Sequence, residues 1–126
     1  MNSEIKNFYD LETWKKAHEL VLEIYKITKF FPKDELYGVV SQIRRAISSV
    51  TANIAEGFSR FHFLDKIRFY HQARGSVAEV QSFLILARDL GYIDNLKFQD
   101  LMVKSQQVGQ LINGLIRSIE KARNSL

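Results

Sequence analysis

Apolar residues recur at alternating steps of three and four along most of this chain, which is the spacing of one face of an α-helix. Only one proline and six glycines occur among the 126 residues, so few positions interrupt the pattern. No segment sustains the alternation of apolar and polar residues that a β-strand would show. The spacing therefore predicts four long amphipathic helices, over residues 11–29, 34–56, 63–90 and 94 to near the C-terminus.

Residues at the ends of these segments mark where the helices should begin and end. Asp10 and Asp94 are predicted N-caps of the first and fourth helices. Pro32 should end the first helix, and Gly57 and Gly91 should end the second and third, since glycine tolerates the left-handed conformation there. The predicted core stripes are Leu11, Trp14, His18, Val21, Tyr25 and Thr28 in helix one; Leu36, Val40, Ile43, Ile47, Val50 and Ile54 in helix two; Ile67, Tyr70, Ala73, Val77, Val80, Leu84 and Ala87 in helix three; and Leu101, Ser105, Val108, Ile112, Leu115, Ile119 and Ala122 in helix four.

The connections between the four segments are short, and long amphipathic helices joined by short loops pack as antiparallel neighbours. We therefore predict an all-α protein, an antiparallel up-down-up-down four-helix bundle. A length of 126 residues and a hydrophobic content of 46% suit one packed domain over residues 1–126.

Several kinds of chemistry have no support in the sequence. Cysteine is absent, which excludes disulfides and thiolate metal sites. No glutamate is followed three residues later by histidine, the pattern of di-iron bundles, so we expect no metal site and no cofactor. The chain also lacks a nucleophile elbow and a phosphate-binding P-loop, so we expect a protein that is not an enzyme.

The N-terminal run MNSEIKNFYDLE lacks the apolar core of a secretory signal. No stretch approaches the roughly 20 apolar residues that span a bilayer. We therefore expect a cytoplasmic protein that makes no membrane contact.

The positive charge is concentrated in the middle of the chain. The net charge is +4, and residues 41–75 hold six Lys or Arg against two Asp or Glu. Phenylalanines interleave with these cations, a combination that suits phosphate attraction and base stacking. Two alternatives stay open: a solvated basic face with no partner, and aromatics that belong to the core or to a subunit contact. The predicted nucleic-acid contacts are Arg44, Arg60, Lys66, Arg68 and Arg74.

Small and polar residues crowd the stretch SSVTANIAEGFSR, residues 48–60. If helices two and three are antiparallel, Arg45 lies within reach of Glu79, which predicts a polar layer that fixes the register of the bundle. The alternative is that both side chains point to solvent on the helix flanks. The predicted polar layer consists of Gln42, Arg45, Asn53 and Glu79, and the predicted sites of close helix packing are Gly57, Gly75 and Ser76.

One face of helix four carries almost no charge outside the core stripe. An outward helix face normally carries charged residues, so an uncharged face with glycines suits contact with another subunit. The alternative is a weakly polar face exposed to solvent. The predicted homo-oligomer contacts are Gln106, Gly109, Gln110 and Asn113, flanked by Leu111 and Ile116.

Several motifs are similar to those of a known family. The runs QIRRAISSVTANIAEGFSR and ARGSVAEV, with LETWKKAHEL, FPKDELYG and LGYID, resemble the bacterial four-helix-bundle family first noticed as reading frames in intervening sequences of 23S ribosomal RNA. Where the family commonly has serine and lysine after GFSR, this chain has FHFLDK, which places Phe61 and Phe63 at polar positions. The family-typical positions are Gln42, Arg45, Asn53, Glu56, Gly57, Arg60, Gly75, Ser76 and Glu79.

That family in turn resembles the accessory variability determinant of diversity-generating retroelements, which forms a ring of five bundles. The resemblance implies the bundle fold, a pentamer, and RNA or DNA and a reverse transcriptase as partners. We expect a non-enzymatic, oligomeric nucleic-acid-binding or ribonucleoprotein accessory factor that acts through the basic surface around helices two and three. The alternative is a protein–protein interaction scaffold of a mobile element with no direct nucleic-acid contact.

Overall fold

A computed structural model describes residues 4–126, and they contain four α-helices and no strand. The all-α class is therefore confirmed for this part of the chain; residues 1–3 of the predicted domain, with the first letters of the N-terminal run, lie outside it. The helices are α1 (Glu12–Thr28), α2 (Ser41–Ser59), α3 (Phe63–Asp89) and α4 (Asn95–Asn124). Short 3-10 turns at Phe8–Asp10 and Lys33–Glu35 and a π-helical turn at Leu36–Val40 complete the fold.

The ends of α3 and α4 follow the predicted signals. The Asp94 carboxylate accepts a hydrogen bond from the Lys97 backbone N–H at 2.7 Å, which confirms it as the N-cap of α4. Gly91 has a φ of +79°, the left-handed conformation in which a glycine follows the end of a helix. These two residues set the turn between α3 and α4.

The N-cap predicted for α1, Asp10, and the stop predicted for α2, Gly57, are wrong. The Asp10 carboxylate accepts the Asn7 backbone N–H at 2.9 Å and so closes the preceding 3-10 turn. That hydrogen bond lowers the pKa of Asp10. The N-cap position of α1 is Leu11. Gly57 stays helical because α2 continues to Ser59, and the chain becomes extended only at Arg60.

One hydrophobic core is shared by all four helices. The stripes predicted for α2 and α3 are buried except at their first members, Leu36 and Ile67. In α4 the stripe holds as far as Ile112, after which Ile116 is buried in place of Leu115. This drift is expected, because seven residues of a straight α-helix fall about 20° short of two full turns. Residues at a strict seven-residue spacing therefore move gradually away from the buried face.

The buried face of α1 differs from the predicted one by one residue. Its core positions are Thr13, Ala17, Leu20, Ile24 and Thr28, and of the predicted stripe only Thr28 is fully buried. Smaller residues at the same helical spacing occupy the interior, while the larger amphipathic rings, such as that of Trp14, lie at its edge.

The entry into α2 is kinked, where the sequence predicted a continuous helix from residue 34. Gly38 has φ −114° and ψ −114°, values outside the helical region. A Cβ at this position would lie 2.7 Å from Oε1 of Glu35, so a side chain would displace that carboxylate. The other oxygen of the carboxylate accepts the Tyr92 hydroxyl hydrogen bond at 2.7 Å, which joins the α1–α2 connection to the α3–α4 connection.

Close packing between α2 and α3 occurs at Gly57 and is absent at Gly75. A Cβ at Gly57 would lie 2.6 Å from Cε1 of Tyr70, so the missing side chain is what admits the Tyr70 ring. Ser76 also faces α2, about two turns farther along, with its hydroxyl 3.0 Å from that of Ser49. Gly75 is exposed, and nothing lies within 4 Å of a Cβ built there. The predicted close approach at Gly75 is therefore wrong, because this residue points away from α2.

The two glycines should respond to alanine in opposite directions. Gly57→Ala should destabilise the protein by about 1–3 kcal/mol, because the buried Tyr70 ring must move to admit the methyl group. Gly75→Ala should stabilise it by up to about 1 kcal/mol through helix propensity alone. Urea unfolding followed by circular dichroism measures both changes, and equal effects of the two substitutions would refute this account of Gly57.

Burial raises the pKa of Tyr70 to about 12. The unfolded chain releases this phenolic proton first, so the contribution of Tyr70 to stability is complete below about pH 10 and decreases as the pH rises toward about 12. Tyr70→Phe removes the titrating group. Ionisation of Tyr70 should lower the free energy of unfolding of the wild type by about 1 kcal/mol at pH 11, and the variant should not show this decrease. Urea unfolding of both proteins between about pH 8 and pH 11 measures the difference. Parallel curves for the two proteins would show that Tyr70 does not titrate in this way.

Candidate nucleic-acid interface

A three-residue connection, residues 60–62, joins α2 to α3 and lies within the basic part of the chain. The Arg60 N–H donates to the Glu56 carbonyl at 3.1 Å, and the Lys66 N–H donates to the His62 carbonyl at 3.1 Å. The turn is thus hydrogen-bonded to the helix on each side of it.

Lys66 stabilises this turn from within. Its ammonium group donates to the Phe58 carbonyl at 2.7 Å, near the C-terminus of α2, and lies 5.6 Å from the centre of the Phe58 ring. Partial burial lowers the pKa of Lys66. A cation that satisfies helix-end carbonyls contributes to the structure of the turn. Lys66 therefore has a structural contact within the turn, and its role as a phosphate contact stays a prediction.

Arg60 and Arg68 both stack on Phe69, a half-buried ring on α3. Their guanidinium carbons lie 4.7 Å and 4.6 Å from its centroid. Arg60 also pairs with Glu56 at 3.3 Å, and Arg68 lies 3.8 Å from Asp65. Each guanidinium carries five N–H donors, so these contacts leave donors free on both half-exposed side chains. We call Arg60, Arg68 and Phe69 the arginine–phenylalanine cluster.

The other two predicted contacts lie elsewhere on the surface. Arg74 donates to Oδ1 of Asn113 at 3.1 Å and contacts Nδ1 of His71 at 2.9 Å, which places it between α3 and α4. Arg44 donates to Oγ1 of Thr28 at 2.9 Å and packs over Tyr25, between α1 and α2. The five predicted residues therefore occupy three locations, and only Arg60, Lys66 and Arg68 come together.

The predicted polar layer forms a partly exposed seam between α2 and α3. Arg45 and Glu79 form an ion pair whose side chains are 53% and 36% exposed, and Gln42 accepts from Arg45 at 3.1 Å. Asn53 donates to the Ser49 carbonyl at 2.8 Å. The predicted pairing is present, but its expected place inside the bundle is wrong, because burying the charges would require more compensation than one pair supplies.

The proposed contact face of α4 divides into two parts. Gln106 and Gln110 are exposed, whereas Gly109 lies against α3, with its potential Cβ 3.9 Å from Val77. Asn113 accepts from Arg74, as described above. Ile116 belongs to the core and does not flank the face, because the buried stripe of α4 has drifted by one residue at this level.

The most exposed large hydrophobic side chain near the turn was not among the predicted site residues. Phe61 is 87% exposed, and its ring meets that of His62 edge-to-face at 5.2 Å between centroids. The signal for it in the sequence was the FHFLDK run, where the related family commonly has polar residues.

Two further observations bear on the kinds of site present. No three His, Cys, Asp or Glu side chains within residues 4–126 are grouped so that they could hold a metal ion. Over the same residues, no helix combines the length and the apolar character needed to cross a membrane.

Comparison with known proteins relates the whole arrangement to one family. A solved structure described as a protein of unknown function from the S23 ribosomal protein family of Bacteroides thetaiotaomicron has the same fold, with a TM-score of 0.78 and 23% sequence identity. The match covers 83% of this chain and 95% of that one. A search of curated proteins gives no match. The sequence model of the 23S rRNA-intervening sequence proteins matches residues 9–114, and the chain therefore belongs to that family.

Proposed function

We propose that this protein is a non-enzymatic nucleic-acid-binding accessory factor whose contact surface is the arginine–phenylalanine cluster at the α2–α3 turn. The observation that carries the proposal is the stacking of two guanidiniums on one ring, at 4.7 Å and 4.6 Å from its centroid. Arginines held in this way keep free donors aimed outward at little entropic cost, and guanidinium geometry matches phosphate oxygens.

Local charge supports the same surface. Residues 41–75 carry the excess of Lys and Arg over Asp and Glu, six against two. Cations that neutralise phosphates release counterions, so the affinity of such a surface falls as the salt concentration rises. Arg74 and Arg44 would extend the positive field of the surface without joining the cluster.

Charge reversal at the cluster tests the proposal. Arg60→Glu together with Arg68→Glu should lower affinity for a labelled single-stranded oligonucleotide at least tenfold at low salt, because two phosphate contacts become repulsive. Fluorescence anisotropy titrations at several salt concentrations measure the affinity and its salt dependence.

Arg88 offers a matched control for this substitution. Its guanidinium also stacks on a phenylalanine, at 4.3 Å from the Phe98 centroid, and it pairs with the neighbouring Asp89, but it lies in the last turn of α3. Arg88→Glu should leave binding much closer to wild type. Equal loss in both variants, or no binding by the folded wild type at low salt, would contradict the proposal.

We also infer the antiparallel up-down-up-down arrangement that the sequence predicts. Between α2 and α3, Arg45 meets Glu79 and Ser49 meets Ser76, so residue numbers run in opposite directions along the two helices. Residue numbers also run in opposite directions between α1 and α2, where Thr28 meets Arg44 and Tyr25 meets Ser48. The same holds between α3 and α4, where Arg74 meets Asn113 and Gln81 meets Ser105. Glu23 and Lys104 join α1 to α4 and so place the first and last helices side by side.

The binding unit in this proposal is an oligomer, and the resemblance to the retroelement accessory protein favours a pentamer with a reverse transcriptase as partner. Several copies of a weak basic surface held in one ring bind a single polyanion far more tightly than one copy does. The exposed amides of Gln106 and Gln110 on α4 are the candidate contacts between subunits.

Light scattering tests the assembly directly. The wild type should give a mass several times the 14.7 kDa of one chain. Replacing Gln106 and Gln110 together by lysine should lower that mass, because two ammonium groups would have to lose their hydration in the contact. Glu120→Lys, near the exposed end of α4, is the control for added positive charge. A monomeric wild type would rule out the ring.

The runner-up function, a protein-interaction scaffold, has one observation in its favour. Phe30, Tyr37 and Leu96 are each at least 80% exposed, and all three lie in or beside the α1–α2 and α3–α4 connections. Exposed apolar side chains of this size suit contact with another protein. In that case the Arg60 and Arg68 substitutions would leave partner capture intact while substitution of Phe30 and Tyr37 would abolish it.

A further inference from the structure

Phe61 is the one large apolar side chain in the connection between α2 and α3, and it is 87% exposed. The backbone is extended at Arg60 and again at His62, the residues on either side of it. Phe61 lies in a bend between these two residues and so belongs to the surface of neither helix. The phenyl ring therefore faces solvent because of the geometry of the turn.

The chain is hydrogen-bonded on both sides of Phe61. Lys66 bonds to the Phe58 carbonyl before the turn and, through its backbone N–H, to the His62 carbonyl after it. Arg60 is anchored by its own N–H and by its stacking on Phe69. The backbone of such a turn need not become ordered when the ring binds a ligand, and preorganisation of this kind raises affinity.

Two arginines and one further exposed apolar residue lie near Phe61 along the chain. Arg60 precedes it directly, Leu64 is 61% exposed in the first turn of α3, and Arg68 follows Leu64 one helical turn later. Asp65 is the single acid from residue 60 to residue 68, and it lies beside Arg68. Each guanidinium also has one carboxylate beside it, Glu56 for Arg60 and Asp65 for Arg68. The surface thus presents an exposed aromatic ring close in sequence to two guanidiniums that keep free N–H donors.

An aromatic ring exposed in this way distinguishes between forms of nucleic acid. Inside a duplex the faces of the bases are covered by their neighbours, so a protein ring stacks most readily on bases that are unpaired. Phosphate contacts made by arginines carry no information about the bases, so they do not by themselves favour unpaired ones. The geometry points to a site for unpaired nucleotides, in which Phe61 stacks on a base while Arg60 and Arg68 bind the adjacent phosphates.

This inference rests on the proposed function and adds the form of the ligand to it. Stacking uses the π-face that all bases share, so the site should tolerate any sequence. The competing occupant of the same ring is a second copy of this chain, which would use Phe61 as a subunit contact.

Fluorescence anisotropy with three labelled probes tests the inference: a single-stranded 12-mer of deoxythymidine, a duplex of the same length, and an abasic 12-mer. Phe61→Ala should weaken binding of the single strand about 5- to 100-fold, the range that loss of one base–aromatic stack produces. Binding of the duplex and of the abasic strand should stay within about twofold of wild type, because all charges are kept. Phe61→Tyr should retain the preference for the single strand.

Phe30→Ala is the matched control, since Phe30 is 84% exposed but lies in the connection after α1. It should leave all three affinities unchanged. Unchanged single-strand binding by Phe61→Ala, or equal weakening with all three probes, would overturn the inference and leave the proposed function standing. Failure of the wild type to bind any probe would overturn both, and a fall in solution mass with Phe61→Ala would assign the ring to a subunit contact instead.

Discussion

The contact between Gly57 and Tyr70 is the constraint on which the α2–α3 pair depends. A Cβ at Gly57 would overlap the Tyr70 ring, and the ring itself is 2% exposed, so α2 and α3 approach closely only because residue 57 has no side chain. The neighbouring Phe69, which lies 3.2 Å from the same point through its own Cβ, is positioned by that approach. The stacking of Arg60 and Arg68 on Phe69 is therefore a consequence of how two helices pack.

Lys66 makes different contacts from Arg60 and Arg68, although all three are cations near the same turn. By composition it is one more cation in a basic segment, yet its ammonium is directed at the carbonyls that α2 leaves unbonded at its C-terminus. Arg60 and Arg68 instead lie on the Phe69 ring, because a planar guanidinium can stack on a ring and still present N–H groups at its edge. The compact ammonium of lysine is better suited to a single point between carbonyl oxygens.

Helical spacing, short connections and end signals such as Asp94 and Gly91 were sufficient to predict the helices and most of the shared core. The face of α1 was not predictable in the same way, because two adjacent stripes of that segment both contain apolar residues, and the buried one, which includes Ala17, is known only from the packed structure. Gly75 illustrates a different limit. Glycine in a helix signals that a side chain is missing, but the direction of the missing side chain follows from the rotation of the helix, which the sequence alone leaves undetermined.

The candidate site was predictable in part for a related reason. Their positions along the chain place Arg60 and Arg68 near the same turn. Arg44 and Arg74 belong to the same basic segment but lie on other parts of the surface. Their side chains diverge because helical residues that are several turns apart on different faces meet different neighbours, Thr28 for Arg44 and Asn113 for Arg74. The FHFLDK run was visible as a departure from the family pattern, yet the exposure of Phe61 depends on the backbone of the turn.

The hydrogen bond from Tyr92 to Glu35 affects how the α1–α2 and α3–α4 connections open locally. It links a segment that precedes α2 to one that follows α3, and Phe31, Val39, Val40 and Ala87 form a small separate core beneath it. Neither segment can detach alone without leaving the other's polar group or apolar surface uncovered. The two connections should thus open as one cooperative unit, distinct from the α2–α3 turn, so that fraying at one end of the helices leaves the other undisturbed.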